Sequence, residues 1–367
     1  MQSSKPLKVL QVSPLDLGGT AKTMQLFTEH LDKKTFFPVV WSPAEGPRAG
    51  LLREKGIRII IGPSLEEAVR RFKPHIVHVH RAGWPQPELL LPIQAAFRPD
   101  PAGLRSRLPV LIETNVFGRY DESESGRLID VTLFVSHFCA ERLRIAEERN
   151  IESPRYQVLY NPVDTDAFVE LSPPPGQRDY SRPVFGRLSR PDPGKWSMLT
   201  LEALPLVKRE IPDFTFMVIG GIPEAEMFVQ KHKLQNNVRF LPPVITDGEI
   251  AAFMNCLTVF THANKTGESF GVAIAEAMAC GLPVITHNAE GWRDNAQVEL
   301  VKHGQTGFVA DTPQDYAKAI ITLLRQPVLC RNMGMAGRLR AQLLFRAQDI
   351  ARKLEQIYKE ALEVCKE

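Results

Sequence analysis

Two glutamates, Glu268 and Glu276, stand eight residues apart in the segment TGESFGVAIAEAMACGLPVIT. A carboxylate in such a place can accept hydrogen bonds from both hydroxyls of a sugar or ribose diol. Spacing alone does not single out this pair, because Glu202/Glu210 and Glu355/Glu363 share it on predicted amphipathic helices. Such a pair usually marks a solvated helix face, so its interpretation depends on the intervening residues.

The residues between the two glutamates predict a helix start. Ser269-Phe270-Gly271 precedes an apolar run that begins near Val272. The first-turn amides of a helix have no partner within it, and with the helix dipole they form an anion site that suits a diphosphate. Gly271 has no side chain, so a phosphate can come close. Glu268 then lies beside the sugar that the diphosphate carries, and Glu276 lies within reach of a ribose.

This segment resembles the E-x7-E signature of retaining glycosyltransferases of family 4, which have the GT-B fold. The family pattern E-G-F-G-[LIV]-x-x-x-E-A-x-A-x-G-x-P-V is matched from Glu268 to Val284, except that Ser269 replaces the usual glycine. The resemblance implies that Glu268 contacts hydroxyls of the donor sugar and that Glu276 binds the ribose. It also implies that three backbone amides face the donor sugar and phosphate, those of Phe270, Gly271 and Val272.

Two cations follow the first predicted strand of the second half of the chain. Arg187 stands in Val184–Leu188, which resembles the family's G-R-L run, and Lys195 resembles the lysine of its K-G run. The spacing here is longer, and Trp196 replaces the usual glycine. We expect Arg187 and Lys195 to converge on the diphosphate and to stabilise the charge on the departing nucleoside diphosphate. Arg190 is an alternative to Lys195, and an exposed basic loop is the alternative to both roles.

In the first half, a Gly-Gly turn and a histidine pair follow predicted strands. Gly18 and Gly19 open a predicted helix and form either an anion site or a plain tight turn. His78 and His80 alternate onto one face of a strand, and we reject a metal pair because no third ligand is evident. The resemblance implies that the glycine turn approaches the donor phosphate and that His80 lies near the transferred sugar. His78 is then structural.

Three further stretches resemble parts of family 4 enzymes. Asn161–Asp164 resembles the interdomain N-x-V-D turn. Gly221 belongs to a Gly-Gly turn, and the resemblance implies that this turn lies near the nucleotide. Pro243 and Val244 follow a strand that resembles the one whose backbone contacts the base in the family, so the resemblance implies that these two residues lie near the base.

Short runs rich in Val, Ile and Leu alternate with amphipathic stretches in both halves, which predicts buried parallel strands and doubly wound sheets. The predicted strands are Val9–Ser13, Val39–Ser42, Ile57–Ile61, Ile76–His80, Val110–Thr114 and Thr132–Ser136, and then Val184–Leu188, Thr215–Gly220, Val238–Leu241, Val259–His262, Val284–Thr286 and Gly307–Val309. A proline-rich stretch after residue 161 marks the boundary.

The fold class that we predict is α/β and GT-B, with two Rossmann-like domains facing across a cleft. Residues 1–168 form an acceptor-binding domain and residues 169–345 form a domain that binds the nucleotide sugar. Residues 346–367 form a C-terminal helix that could pack back on the first domain.

Composition limits the class of protein. The chain has 367 residues, 44% of them hydrophobic, and a net charge of +3, which fits two globular domains and no general nucleic-acid binding. Five cysteines without C-x-x-C spacing indicate reduced thiols. Because no signal peptide or membrane span is evident, we expect a cytoplasmic protein. The basic stretches 48–58 and 70–73 are solvated helix faces or a contact with the inner face of the membrane.

The resemblance implies a retaining hexosyltransferase that needs neither metal nor cofactor. Its donor would be a UDP-sugar, with UDP-glucose and UDP-N-acetylglucosamine as first candidates. Its acceptor would be a saccharide or lipid-linked saccharide in polysaccharide or glycolipid biosynthesis. Two alternatives stay open: a GT-B nucleotide-sugar epimerase and a non-catalytic scaffold that binds sugar nucleotides. His262–Thr266 and Trp292–Asp294 depart from the family pattern, so we expect donor specificity there.

Overall fold

The fold is described from a computed structural model of the chain. It describes residues 5–62, 64–97, 108–174 and 176–364. Cys365, at the predicted end of the last helix, and Pro175, in the predicted linker, lie outside the described residues. The chain divides into two compact units, one formed by Met1–Pro162 with Ala347–Glu367 and the other by Val163–Arg346.

The first unit is built on a seven-stranded sheet in the order β3-β2-β1-β4-β5-β6-β7, and every strand pair in it is parallel. The strands are β1 (Leu7–Val12), β2 (Phe36–Ser42), β3 (Arg58–Ile61), β4 (Ile76–Arg81), β5 (Val110–Asn115), β6 (Val131–Phe134) and β7 (Tyr156–Val158). The helices between them are α1 (Gly19–His30), α2 (Pro47–Glu54), α3 (Leu65–Phe72), α4 (Pro87–Ala95) and α5 (His137–Ala146), with a 3-10 helix at Gly126–Leu128.

The second unit repeats this plan with six parallel strands in the order β10-β9-β8-β11-β12-β13. Its strands are β8 (Val184–Leu188), β9 (Thr215–Ile219), β10 (Val238–Leu241), β11 (Val259–Thr261), β12 (Val284–Thr286) and β13 (Gly307–Val309). Its helices are α6 (Thr165–Glu170), α7 (Met198–Glu210), α8 (Pro223–Lys231), α9 (Asp247–Asn255), α10 (Val272–Ala279), α11 (Gln297–Leu300), α12 (Pro313–Arg325) and α13 (Pro327–Phe345), with a 3-10 helix at Pro193–Lys195.

Both sheets reverse their strand order at one point, between β1 and β4 in the first unit and between β8 and β11 in the second. Ligands of open α/β sheets bind outside the carboxyl ends of the strands at such a point. The prediction of two doubly wound parallel sheets is confirmed. The first sheet gains β7, a short and half-buried edge strand that the search for apolar runs missed.

The apolar strands of the first unit are buried on both faces. Val9 and Ile76 belong to one hydrophobic cluster, and the next residues, Leu10 and Val77, belong to another. Alternating side chains point to opposite faces of a strand, so near-continuous apolar runs are what a covered parallel sheet requires.

Helix α14 (Ala347–Val364) follows the second unit along the chain but packs in the first. Its apolar face, including Leu354 and Ile357, joins the cluster that contains Val9 and Ile76. The expected packing of the C-terminal helix on the first domain is confirmed. Phe168, at the predicted domain boundary, lies in α6 and therefore within the second unit.

The two basic stretches carry arginines that pair with glutamates. Arg53 lies 2.6 Å from Glu45, and Arg70 lies 2.8 Å from Glu66 one helical turn away. These pairs reduce the net positive charge that α2 and α3 present. Within the described ranges, no helix has the length and apolar content of a membrane span.

A buried hydrogen-bond network ties α14 to the sheet. The Tyr358 hydroxyl lies 2.7 Å from His78 Nδ1 and accepts from Gln11 Nε2 at 3.1 Å. On its other side, His78 Nε2 lies 2.9 Å from the Thr114 hydroxyl. All four side chains are buried, so each hydrogen bond replaces one that water would otherwise supply.

Tyr358→Phe should therefore destabilise the protein, because it leaves His78 Nδ1 and Gln11 Nε2 buried without this partner. We expect a loss of about 1–3 kcal/mol in the free energy of unfolding, measured by urea denaturation. Tyr156→Phe, at a half-exposed ring on edge strand β7, is the control and should change stability little. Equal losses in the two variants would contradict the role assigned to the network.

Candidate active site

The loops after β8 and β11 bring two predicted site residues together. Lys195 follows β8, Glu268 follows β11, and these strands are neighbours at the point where the sheet order reverses. Lys195 Nζ lies 3.1 Å from Glu268 Oε1 and 3.2 Å from Oε2. The pair therefore lies where an open α/β sheet binds its ligand.

Three donors converge on one oxygen of Glu268. Oε1 accepts from Lys195 Nζ, from His262 Nε2 at 3.0 Å and from Asn264 Nδ2 at 2.6 Å. The side chain is only 14% exposed. Burial raises the pKa of this carboxyl, but the His262 hydrogen bond and the Lys195 charge outweigh burial and lower it to about 2. Glu268 is therefore a carboxylate at neutral pH.

His262 and Asn264 are the partners that sequence reasoning did not assign to Glu268. Burial lowers the pKa of His262, so its neutral ring donates to the carboxylate through a protonated Nε2. The Asn264 backbone amide donates to His287 Nε2 at 3.2 Å, which fixes the loop from behind. The available signal was the departure at His262–Thr266, directly after a strand at the reversal of sheet order.

Arg187 lies in the interior beneath this loop, 1% exposed. Its guanidinium donates to the Ala263 carbonyl at 3.3 Å and to the Lys195 carbonyl at 2.6 Å, and it lies 3.7 Å from the centre of the Trp196 ring. Burial lowers its pKa to about 10, which leaves it charged at neutral pH. In this structure Arg187 positions the backbone that carries Lys195 and Asn264. Its predicted contact with a diphosphate stays a prediction.

Helix α10 starts as the sequence pattern predicts. Gly271 precedes Val272 with φ of 101°, and its carbonyl accepts from both Ile274 and Ala275. No helical carbonyl precedes the amides of the first helical residues, so they can take an anion. Phe270 is buried and packs edge-on against Phe345 at 5.2 Å, which anchors the helix start from the interior.

Glu276 lies farther along α10 and is buried. A buried carboxylate requires polar partners, and this buried position differs from the exposed positions of Glu202 and Glu210. The predicted contact with a ribose stays a prediction.

The long segment after β12 closes against the backbone of Glu268. Gly267 has φ of 70°, and a Cβ there would lie 1.5 Å from the Asp294 carbonyl oxygen. Gln297 Oε1 accepts from the Glu268 amide at 3.0 Å, and the Ala296 amide donates to the Glu268 carbonyl at 2.8 Å. The departure that the sequence shows at 292–294 is therefore part of this site.

The residues predicted near the nucleotide lie on the other side of β8 from β11. The turn containing Gly221 follows β9, and the ring of Phe240 leaves space only for a glycine there. Pro243 is exposed and Val244 is half-buried in the loop between β10 and α9. Their contacts with a nucleotide stay predictions.

The first unit holds the remaining predicted residues at its own reversal point. Gly18 is the N-cap of α1, its amide already donates to Asp16 Oδ1 at 2.7 Å, and Gly19 is exposed. His80 lies in β4, which is buried throughout, with Nε2 2.9 Å from Gln11 Oε1. Burial lowers its pKa to about 3, so the ring is neutral. No group of three or more potential metal ligands was found among the described residues.

Comparisons with known proteins show what the chain is similar to. Residues 182–326 match the family model described as glycosyl transferases group 1. The chain is 25% identical over 296 residues to a phosphatidyl-myo-inositol mannosyltransferase of Mycobacterium tuberculosis, covering 76% of this chain and 73% of the relative. It is 28% identical over 318 residues to a GDP-mannose-dependent alpha-(1-6)-phosphatidylinositol monomannoside mannosyltransferase of Mycolicibacterium smegmatis, covering 82% and 70%. These similarities indicate a glycosyltransferase that resembles the members of family 4.

Solved structures share the fold of this glycosyltransferase. A glycosyltransferase from Rickettsia africae has a TM-score of 0.78 at 19% identity, covering 98% of this chain and 99% of that one. Anabaena Alr3699/HepE, in complex with UDP and glucose, has a TM-score of 0.74 at 19% identity, covering 96% and 100%. The predicted GT-B fold is confirmed.

Gly267→Ala should disrupt the site because its Cβ would overlap the Asp294 carbonyl oxygen. Gly291→Ala is the matched control, since Gly291 also has a positive φ, 61°, but has no atom within 4 Å of the added carbon. We expect a cost of about 1–2 kcal/mol for Gly291→Ala from the left-handed backbone alone. Gly267→Ala should cost about 3 kcal/mol or more, measured by chemical denaturation. Similar costs at both positions would show that the segment yields freely.

Glu268→Gln should lower stability in a pH-dependent way. The folded-state pKa of about 2 lies below the ordinary 4.5, so the carboxylate stabilises the protein above pH 4.5 and loses this effect as pH falls toward 2. Wild type should exceed Glu268→Gln by about 1–3 kcal/mol at pH 7, and the difference should shrink at pH 4 and pH 3 in urea titrations. A difference that does not change with pH would contradict the low pKa.

Proposed function

We propose that this glycosyltransferase moves a hexose from a UDP-sugar to a hydroxyl of a saccharide or lipid-linked saccharide, with retention of anomeric configuration. UDP-glucose and UDP-N-acetylglucosamine are the first donors to test. The observation that carries the proposal is the ionised Glu268, held by Lys195 directly before the start of α10.

The charges at this site suit a sugar joined to a diphosphate. The helix start attracts the phosphates, and Lys195 supplies a positive charge next to them. On Glu268, Oε1 already accepts from three side chains, whereas Oε2 accepts only from Lys195 among the contacts of the described residues. Oε2 is therefore the oxygen that can accept a hydroxyl of the sugar.

The same geometry supports retention by attack from the face that the leaving group occupies. A carboxylate with a pKa of about 2 and three donors on one oxygen is a poor nucleophile and a poor general base. Glu268 therefore suits sugar binding better than a covalent intermediate. We infer that the acceptor hydroxyl attacks the anomeric carbon as the C–O bond to the diphosphate breaks. Its proton passes to the departing phosphate.

Lys195 and the amides at the start of α10 would stabilise the negative charge that develops on the departing nucleoside diphosphate. Because these groups can supply that stabilisation, we propose that transfer needs no metal ion. A chelator should then leave the rate of transfer unchanged.

The donor nucleotide is the least constrained part of the proposal. HepE crystallised with UDP-glucose supports UDP, whereas a relative named GDP-mannose-dependent makes GDP-mannose the main competitor. Thermal shifts with each nucleotide sugar distinguish them, because a ligand at 100 times its Kd adds about 2.7 kcal/mol of stability.

Glu268→Gln should lower the rate of sugar transfer by about 100-fold or more, since a neutral amide loses the charged contact with the sugar. Glu202→Gln is the control, because Glu202 belongs to a pair with the same spacing but lies exposed on α7. Transfer is followed by release of nucleoside diphosphate, and NMR of the anomeric proton reports the configuration of the product.

Four results would contradict parts of the proposal. Near-normal turnover in Glu268→Gln would remove its central residue. An epimerised sugar nucleotide after incubation with donor alone would identify an epimerase. Donor binding with neither transfer nor hydrolysis would identify a scaffold, and a product of inverted configuration would exclude retention.

A further inference from the structure

An aromatic pair of the first unit, Trp84 and Phe117, has no role in the site described above. Trp84 is 48% exposed, and its ring stacks on that of Phe117 with centroids 5.5 Å apart and planes within 5°. Phe117 therefore packs against one face of the indole, and about half of the Trp84 surface remains accessible to solvent. Contiguous exposed apolar surface, unlike a single exposed side chain, can mark a binding site.

The loop that carries Trp84 is fixed by a buried ion cluster. Arg81 donates to the Trp84 carbonyl at 2.8 Å, to Glu113 at 2.5 Å and to Asp121 at 2.8 Å. All three charged side chains are almost fully buried. Burying such charges is costly unless they are paired, and here the paired arginine holds the backbone beneath an exposed ring.

Gly83 adds a second restraint to this loop. Its φ is 102°, and a Cβ there would lie 2.2 Å from the side-chain oxygen of Asn115. The backbone before Trp84 thus packs directly on the end of β5. A surface ring on so fixed a backbone is pre-organised, which lowers the entropic cost of binding a ligand.

Polar groups surround a pocket that shares Arg81 and Asn115 with this loop. The pocket is small, and its lining also includes Arg119 and Tyr120. Trp84 follows β4 and Phe117 follows β5, so the ring pair and the polar groups stand at the carboxyl ends of neighbouring strands. Ligand sites combine an apolar face with a few convergent polar groups in this way.

We propose that Trp84, supported by Phe117, is a stacking platform for a pyranose ring of the acceptor. A pyranose has an apolar face of C–H groups, which packs on an indole face, and a rim of hydroxyls, which the exposed side chain of Arg119 can bind. The inference rests on the proposed function, and it commits the acceptor to a saccharide. The ring belongs to the acceptor because the donor-site groups Lys195 and Glu268 lie in the other unit.

A lipid surface is the competing occupant, since tryptophan also favours membrane interfaces. The exposed acid Glu88, four residues after Trp84 at the start of α4, disfavours an anionic membrane there. A neutral saccharide is not repelled by the negative charge of Glu88.

Fluorine NMR of protein labelled with 5-fluorotryptophan tests the proposal on the full chain. The chain has four tryptophans. Trp41 is a buried reference, and the buried Trp196 and the 49% exposed Trp292 report on the unit with the donor site. Single Trp→Phe variants assign the lines. The probes are maltose, cellobiose, diacetylchitobiose and methyl α-mannoside at millimolar concentration, then each UDP-sugar, then phosphatidylglycerol vesicles.

We expect at least one saccharide to shift the Trp84 line while leaving the Trp41 line in place. UDP-sugars should instead shift the Trp196 or Trp292 line. If no saccharide moves the Trp84 line but a UDP-sugar moves the others, the platform is wrong and the donor site stands. If saccharides act but no nucleotide sugar does, the proposed function fails separately. Broadening of the Trp84 line by vesicles alone would overturn the proposal in favour of a lipid surface.

Kinetics with the saccharide that shifts Trp84 provide the second readout. Trp84→Ala should raise the acceptor KM about tenfold or more and leave the donor KM unchanged, and Trp84→Tyr should recover part of the loss. Phe37→Ala, which removes another aromatic ring that is 43% exposed on the same unit, should change neither KM. An unchanged acceptor KM in Trp84→Ala would overturn the platform.

Discussion

The second unit depends on keeping one carboxylate ionised in a nearly closed site. Removing Glu268 from water is costly, and Lys195, His262 and Asn264 offset that cost through the three hydrogen bonds on Oε1. Removal of any one donor would leave a buried charge short of a partner. The surrounding structure follows from this requirement, because Arg187 holds the backbone of the Lys195 loop and the 288–297 segment holds the backbone of Glu268 itself.

The residues around the Glu268 carboxylate are of two kinds: some match the family pattern and others depart from it. The start of α10, with a left-handed Gly271 and a buried Phe270, is the part that matches the family pattern. The donors His262 and Asn264, together with the long segment after β12, stand where the chain departs from that pattern. A diphosphate is common to all nucleotide sugars, whereas the hydroxyl arrangement of the sugar is not. Residues that orient the sugar-facing carboxylate are therefore where differences between related enzymes can act.

The sequence predicts what depends on local patterns and misses what depends on distant partners. Apolar runs locate the central strands because both faces of each sheet are covered, and the helix start at Gly271 is visible from its own residues. Edge strand β7 is half-polar and carries no such run. Helix α13 contains Gly334, and glycine disfavours a helix. A Cβ at Gly334 would lie 2.1 Å from the Gly281 carbonyl oxygen, so glycine lets α13 pack closely against the chain at Gly281. The burial of Arg187 likewise depends on Ala263 and Trp196, which no local pattern reveals.

The two units place different chemistry at the carboxyl ends of corresponding strands. In the second unit, a lysine, a carboxylate and a helix start gather after β8 and β11, and charge of this kind suits an anionic diphosphate. In the first unit, the reversal point between β1 and β4 is occupied by neutral groups, since burial lowers the pKa of His78 and His80. Arg81 pairs with Glu113 and with Asp121 in the interior. Arg81 also holds the Trp84 carbonyl, and the Trp84 indole is exposed to solvent. A neutral saccharide, the acceptor class proposed above, carries no net charge, and a fixed aromatic face beside the guanidinium of Arg119 would suit its recognition.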